Sequence, residues 1–282
     1  MNLTNVRIPF FTAIALICFA ANSVLNRLAL GGDVIDAGSY ISIRLLSGAV
    51  ILWLIHGFSR QNFTKILRGS PLPAFYLFLY GIAFSYAYRS LTAGTGAFIL
   101  FGTVQTTMLT VLLLRGERPH LSEWLGLFIA ISGLAYLVFP GLSAPDPFGA
   151  FLMIMAGIAW AFYTLKGKGV KDPLEATARN FIFSVPMVLA INLFTVSKMH
   201  ISTEGVAYAI ASGALASGIG YVIWYAALKG LTTTQAALLQ LSVPIIAALG
   251  GIVFLSEIVT IRLIIAVVLI LGGVVLALMR KK

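Results

Sequence analysis

The amino-acid sequence predicts an all-α integral membrane protein, with ten transmembrane helices arranged as two inverted five-helix repeats over residues 1–141 and 142–282. Three observations carry this expectation. Of 282 residues, 60% are hydrophobic and only 10% charged, where a soluble domain has roughly 45–50% and about 25%. The apolar residues form unbroken runs such as Leu263 to Met279, not the alternating segments of ~10 residues that a membrane barrel requires. The two halves also match at a constant offset of 140 residues.

A crossing helix takes about 20 apolar residues, so a helix plus a short connection, roughly 28 residues, divides the chain into about ten crossings. Apolar runs place the spans near 8–30, 36–57, 72–90, 93–114 and 122–139. The turn-rich stretch Pro140 to Pro147 then separates them from spans near 148–166, 175–196, 204–228, 233–254 and 259–279. The first run, Ile8 to Leu30, exceeds a signal-peptide core and is read as a retained span. Cys18, the single cysteine, lies within it and has no partner for an internal disulfide.

The net charge of +10 would suggest a nucleic-acid partner in a soluble protein. Here the basic residues lie in short loops beside apolar spans, where they set orientation, and no nucleic-acid partner is expected. With the N-terminus inside, the cytoplasmic segments carry thirteen of them: Arg7, Arg60, Lys65, Arg68, Arg115, Arg118, Lys166, Lys168, Lys171, Lys229, Arg280, Lys281 and Lys282. The opposite ends carry four, Arg27, Arg89, Lys198 and Arg262. Both termini are therefore expected on the cytoplasmic side of a bacterial-type inner membrane.

At the 140-residue offset Arg89 falls on Lys229, Leu91 on Leu231, Ala97 on Ala237, Glu117 on Glu257 and Gly133 on Gly273. Five spans is an odd number, so the second half enters the membrane from the other side. Inverted repeats suit alternating access to one site near mid-membrane.

A glutamate closes spans four and nine, in Arg115-Gly116-Glu117 and Leu255-Ser256-Glu257, and a late glycine follows in the next span. With Gln240-Leu241-Ser242-Val243-Pro244 inside span nine, this pattern resembles the EamA repeat, two copies of which make the ten-helix branch of the drug/metabolite transporter superfamily. The resemblance covers nearly the whole chain and is nearest to the aromatic amino-acid exporters. It implies an exporter of small neutral amphipathic metabolites, aromatic and other neutral amino acids foremost, working by alternating access in the lipid bilayer. A monomer accommodates that architecture. One departure is Val104, which stands where Pro244 stands in the second half, so a kink is expected in span nine and not in span four.

None of the nine carboxylates falls in the middle third of a span, and His56, His120 and His200 are read as loop residues. Transport is therefore expected without a buried proton carrier. The same absence argues against enzyme chemistry, a metal site or a cofactor, since each needs an embedded base or ligand cluster.

What the spans do carry is aromatic and amide side chains. Tyr76, Tyr80 and Phe84 share one face of span three; Tyr221, Trp224 and Tyr225 share one of span eight; Trp160 and Tyr163 sit mid-span in six. Any one ring reads as packing. As a set at similar depth, Asn22, Tyr80, Phe84, Trp160, Tyr163, Tyr221, Trp224 and Gln240 are expected to line a substrate cavity. The amides Asn22, Gln105 and Gln240 also suit interhelical hydrogen bonds, and Pro244 is expected to free the Gln240 carbonyl for a ligand.

Arg44 is the basic residue deepest in a span. It suits either a substrate carboxylate, held by the guanidinium fork, or an ion pair with Glu257, mirrored by Arg179 with Glu117. The expected topology puts each pair on one side of the membrane and so favours the two pairs, acting as latches. A sugar-nucleotide or phosphosugar transporter is the alternative within the same class, but it would need more mid-span cations than Arg44. A non-transporting scaffold or lipid-modifying enzyme is the alternative outside it.

Overall fold

The computed structural model describes residues 3–60, 69–115, 121–139, 144–193 and 199–278. In lipid every backbone N–H and C=O must find an internal partner, and a helix provides this within one segment. The described residues accordingly form helices throughout: α1 (Leu3–Gly31), α2 (Ala37–Arg60), α3 (Leu72–Ala87), α4 (Ala93–Leu114), α5 (Leu121–Val138), α6 (Pro147–Gly167), α7 (Pro173–Asn192), α8 (Thr203–Ile210), α9 (Gly220–Leu228), α10 (Thr233–Leu239), α11 (Val243–Leu255) and α12 (Ile261–Leu278). Among the described residues six apolar helices are long enough to cross a membrane, and four shorter ones lie at Leu72–Ala87, Trp124–Leu137, Gln240–Leu255 and Ile261–Gly273.

Helix starts follow the local sequence. The Asp146 side chain accepts from the Gly149 N–H with Pro147 opening α6, and Asp172 accepts from Leu174 and Glu175 with Pro173 opening α7. Thr92 caps α4 through the Thr95 N–H, and Ser202 caps α8 through that of Gly205.

Two expected spans are not single α-helices. The eighth runs from α8 through a nine-residue π-helical segment, Ala211–Ile219, into α9. The ninth is α10, a 3-10 turn at Gln240–Ser242, and α11, with Pro244 in the first turn of α11. Its counterpart α4 runs unbroken through Val104, as the missing proline predicts. His56 is a correction: α2 extends to Arg60, so this histidine is a buried helical residue and not a loop residue. His200 does lie in a loop, and His120 falls outside the described residues.

Large apolar side chains such as Phe128 (71% exposed), Val268 (65%) and Leu215 (60%) face outward, which in water would favour association and in lipid is the solvated surface. Inside, α1 packs on the π segment, α9 and α11, α6 packs on α3 and α4, α2 packs on α7, and α5 packs on α12. The α5–α12 contact is tight, because a Cβ at Gly273 would press on the Gly126 carbonyl oxygen and the Ala130 nitrogen.

One end of the bundle is tied by polar groups. Arg27 sits 3.5 Å from Glu257 and donates to the carbonyls of Tyr88 and Arg89, which follow α3. Glu257 accepts the Ala93 N–H at the start of α4, 2.9 Å away, setting a negative charge where that helix dipole is positive. At the same end Asp36 accepts from the Ser39 and His200 N–H groups. Burial, the largest single influence, raises its pKa, but the hydrogen bonds to its carboxylate outweigh this and hold it below the usual carboxylate value.

Candidate functional site

The centre of the bundle is a cluster of rings. Trp160 of α6 is its hub, with ring centroids 4.7 Å from Tyr221, 4.8 Å from Tyr80, 5.2 Å from Phe19 and 5.3 Å from Tyr163. Phe84 lies 5.0 Å from Tyr80, and Trp224 lies 5.4 Å from Phe19. All are closed to solvent. Rings this close fill the space between them, so a ligand enters only if they part. The open ring-lined cavity expected at this depth is closed in this conformation. Two hollows lie elsewhere: an apolar groove of about 380 Å³ beside Leu79, Phe151 and Ile191, and one of about 420 Å³ at an end, beside Asp33, Arg89 and Asp146.

Arg44 lies against this cluster, 1% exposed. Its Nε donates to Ser217 Oγ (3.1 Å), and its Nη2 to the hydroxyls of Tyr221 (3.0 Å) and Tyr80 (3.4 Å). The guanidinium carbon sits 5.3 Å from the Phe84 ring centroid and 5.5 Å from that of Tyr80, within cation–π range. Gly213 of the π segment makes this placement possible, since a Cβ there would collide with the Arg44 carbonyl oxygen and Ser47 Oγ. The glycine lets α2 approach the segment that carries Ser217.

From Ser217 the polar network continues to Asn22, whose Oδ1 accepts from Ser217 Oγ (3.1 Å) and Ser212 Oγ (2.7 Å). On the other side of the hub, Trp160 Nε1 donates to Gln240 Oε1 (2.8 Å), and Gln240 Nε2 donates to the Ala236 carbonyl. The eight residues expected at a substrate site are thus brought together, through rings for Tyr80, Phe84, Trp160, Tyr163, Tyr221 and Trp224 and through hydrogen bonds for Asn22 and Gln240.

Three expectations need correction. Glu257 meets Arg27 and not Arg44, because the loop after α11 turns it onto the first turn of α4 while Arg44 lies deeper, among tyrosines. Arg179 pairs with Glu175 one turn away at 3.8 Å, while Glu117, its expected partner, falls outside the described residues. The Gln240 carbonyl accepts the Val243 N–H in the 3-10 turn that opens the helix, so it is not left free for a ligand. Sequence reasoning also missed Phe19, Ser212 and Ser217. Serines in a run of glycine and alanine were the only signal for the last two, and such runs more often mark close helix packing.

Helices long and apolar enough to cross a membrane enclose a desolvated core of rings with a cation buried among them. Comparison with known proteins gives the family. The EamA-like transporter family matches residues 147–279. An uncharacterized protein of Pseudomonas aeruginosa is 46% identical over 96% of this chain and 94% of its own length. The threonine/homoserine exporter RhtA of Salmonella typhimurium is 25% identical over 90% of this chain and 87% of its own. A solved crystal structure shares the fold, with a TM-score of 0.64 at 18% identity over 94% of this chain and 95% of that one. The second half of the chain thus matches the EamA-like transporter family, and the chain is a multi-pass membrane protein.

Proposed function

We propose that this protein exports small amphipathic molecules bearing a carboxylate and an apolar or aromatic body, the aromatic and other neutral amino acids among them, across the bacterial inner membrane. The observation that carries this reading is Arg44, a fully buried guanidinium ringed by aromatic side chains and held by hydroxyls instead of a carboxylate. A charge at the bilayer centre costs ~2.5–3.5 kcal/mol even by insertion experiments, and a substrate carboxylate offsets that cost whenever it binds. The rings suit a flat apolar body. Two neighbouring readings contribute: the sequence resembles the aromatic amino-acid exporter YddG, and the relative RhtA is named for amino-acid export. A phosphosugar, with two charges, would bury more charge than this one cation offsets.

Transport proceeds by alternating access between two inverted repeats, 1–141 and 142–282, with both termini cytoplasmic. The helix packing supports this. Exchanging the first five spans with the last five maps the contacts of α1 with α9 and α11 onto those of α6 with α3 and α4. It also maps the α2–α7 and α5–α12 pairs onto themselves. Purified protein in vesicles, loaded with labelled phenylalanine, tests the reading. Efflux competed by unlabelled aromatic compounds and abolished by Arg44→Ala is the expected result; efflux competed by phosphosugars alone would overturn it.

A further inference from the structure

Away from the ring cluster, the outer faces of α3 and α6 form a groove that opens into a charged mouth. Leu79, Ile82 and Tyr86 of α3 line one wall, and Phe148, Phe151 and Met155 of α6 line the other. Both sets are spaced by three and then four residues, so each is a single helix face. The apolar space between them measures about 380 Å³. Tyr86 and Phe148 also line the adjoining hollow of about 420 Å³, which lies where α1 and α3 end and α6 begins. The groove therefore runs from that mouth to Leu79 and Met155, ~10 Å deeper along the helices. We propose that it holds one phospholipid, with an acyl chain between the walls and, in the mouth, a headgroup that joins a phosphate to a primary ammonium.

The charges in the mouth select that headgroup. Arg89, just past α3, and Asp33, just past α1, line it with opposite signs, yet they form no ion pair with each other. Among the described residues both take part in hydrogen bonds only through their backbones. Asp146, the third charge, already accepts from the Gly149 N–H and Ser90 Oγ. Two opposite charges kept apart on one rim are complemented by a zwitterion: the guanidinium forks the phosphate oxygens, and the Asp33 carboxylate accepts the ammonium. A purely anionic headgroup would set its phosphate beside Asp33 and Asp146 without compensation, and a quaternary ammonium would bring no N–H to donate. The position suits a lipid better than a soluble zwitterion. Charged helix ends lie at headgroup depth, and Phe148, Phe151 and Met155 are exposed on the outer surface, where acyl chains meet the bundle. A soluble zwitterion would occupy the rim alone and make no use of the apolar walls beneath it.

The purified full chain in detergent is titrated with phosphatidylethanolamine, phosphatidylglycerol and phosphatidylcholine of identical acyl chains. Glycerophosphoethanolamine, the headgroup without its tails, is the fourth probe. Native mass spectrometry counts the lipid retained, and thermal unfolding reads its grip, since a ligand that binds only the folded state raises the melting temperature. Phosphatidylethanolamine should be retained as a single tight copy, several-fold better than the other two lipids, and should raise the transition by several degrees. Glycerophosphoethanolamine should do neither. Arg89→Gln and Asp33→Asn should each erase the preference among headgroups. Both positions are exposed, and asparagine tolerates the left-handed backbone of residue 33 (φ 51°), so both variants should fold. Met155→Trp should fill the deep end of the groove and weaken all three lipids alike. Failure to retain phosphatidylethanolamine, equal retention of the three lipids, or a preference that survives both charge variants would overturn the proposal. So would a melting shift from the tailless headgroup as large as that from the lipid, or unchanged retention in Met155→Trp.

Discussion

Helices α3 and α4 of the first half are regular from end to end, whereas the segments 140 residues later are each interrupted, one by the π segment Ala211–Ile219 and one by the 3-10 turn at Gln240–Ser242. The contrast has local causes. Pro244 lacks the N–H that would continue the helix past the turn, and Val104 at the matching place has it. The π segment is built from glycine, alanine and serine with one leucine and one isoleucine, while the matching stretch of the first half, residues 71–79, is bulky. Small side chains leave the backbone free to wind loosely. The consequence is a division of labour at the centre. The regular helices bring rings, Tyr80 and Phe84, and the interrupted segments bring Ser212, Ser217 and Gln240. The interrupted segments thus supply the polar partners of Arg44 on α2, Asn22 on α1 and Trp160 on α6.

The comparison is broken most directly by exchanging its cause. Val104→Pro places a proline inside α4, where Val104 is buried, and is expected to cost ~3 kcal/mol or more. Thermal unfolding in detergent should show a large loss or no folded protein; a near-normal transition would mean that α4 is already pliable. Gly213→Val adds three carbons against the Arg44 backbone and Ser47, an overpacking that costs about 1–3 kcal/mol. Its mirror experiment, the same substitution at exposed Gly272, where an added Cβ meets nothing within 4 Å, should be close to neutral in the same melts.

Ser217→Ala comes next. It removes the acceptor of Arg44 Nε and one donor to Asn22, and about 1–3 kcal/mol is expected from the groups left unpaired. Combined with Asn22→Leu, the loss should be less than the sum of the two, because they belong to one network; strict additivity would disconnect Arg44 from Asn22.

Glu257→Gln keeps the shape of the end cluster but removes the charge facing Arg27 and the α4 N-terminus, for roughly 1 kcal/mol. That loss should shrink in high salt.

The smallest effect is set by Asp36, whose folded pKa lies below its unfolded one. Its stabilisation is fully present above the unfolded value near ~3.9 and disappears as pH falls through the lower folded value. The melting difference between the native chain and Asp36→Asn should hold steady above about pH 5 and close in stronger acid. A difference that instead widened on acidification would reverse the assignment.

Much of this architecture was legible from periodicity and composition. The span boundaries follow from apolar runs, because lipid tolerates no unsatisfied backbone and helices must begin and end where the polarity changes. That the eight rings and amides would cluster was legible because they stand out against aliphatic side chains. The charges were not. Arg44 and Glu257 share an expected side of the membrane, yet pairing depends on depth and on the turn after α11, which shared sidedness leaves open. The hydroxyl partners of Arg44 were hidden for a similar reason: Ser217 is 173 residues away in the chain and reaches it through a loosened helix that no hydrophobic pattern announces.

The amino-acid sequence by itself determined a helical membrane chain and the unequal helices that Pro244 and Val104 produce, since these follow from solvent polarity and backbone covalent geometry acting locally. Only the tertiary structure decided which partners Arg44 meets and that the central rings close on one another. Those outcomes depend on distances of a few ångströms between helices far apart in the chain, and short-range hydrogen bonds and ring contacts register such distances where hydropathy does not.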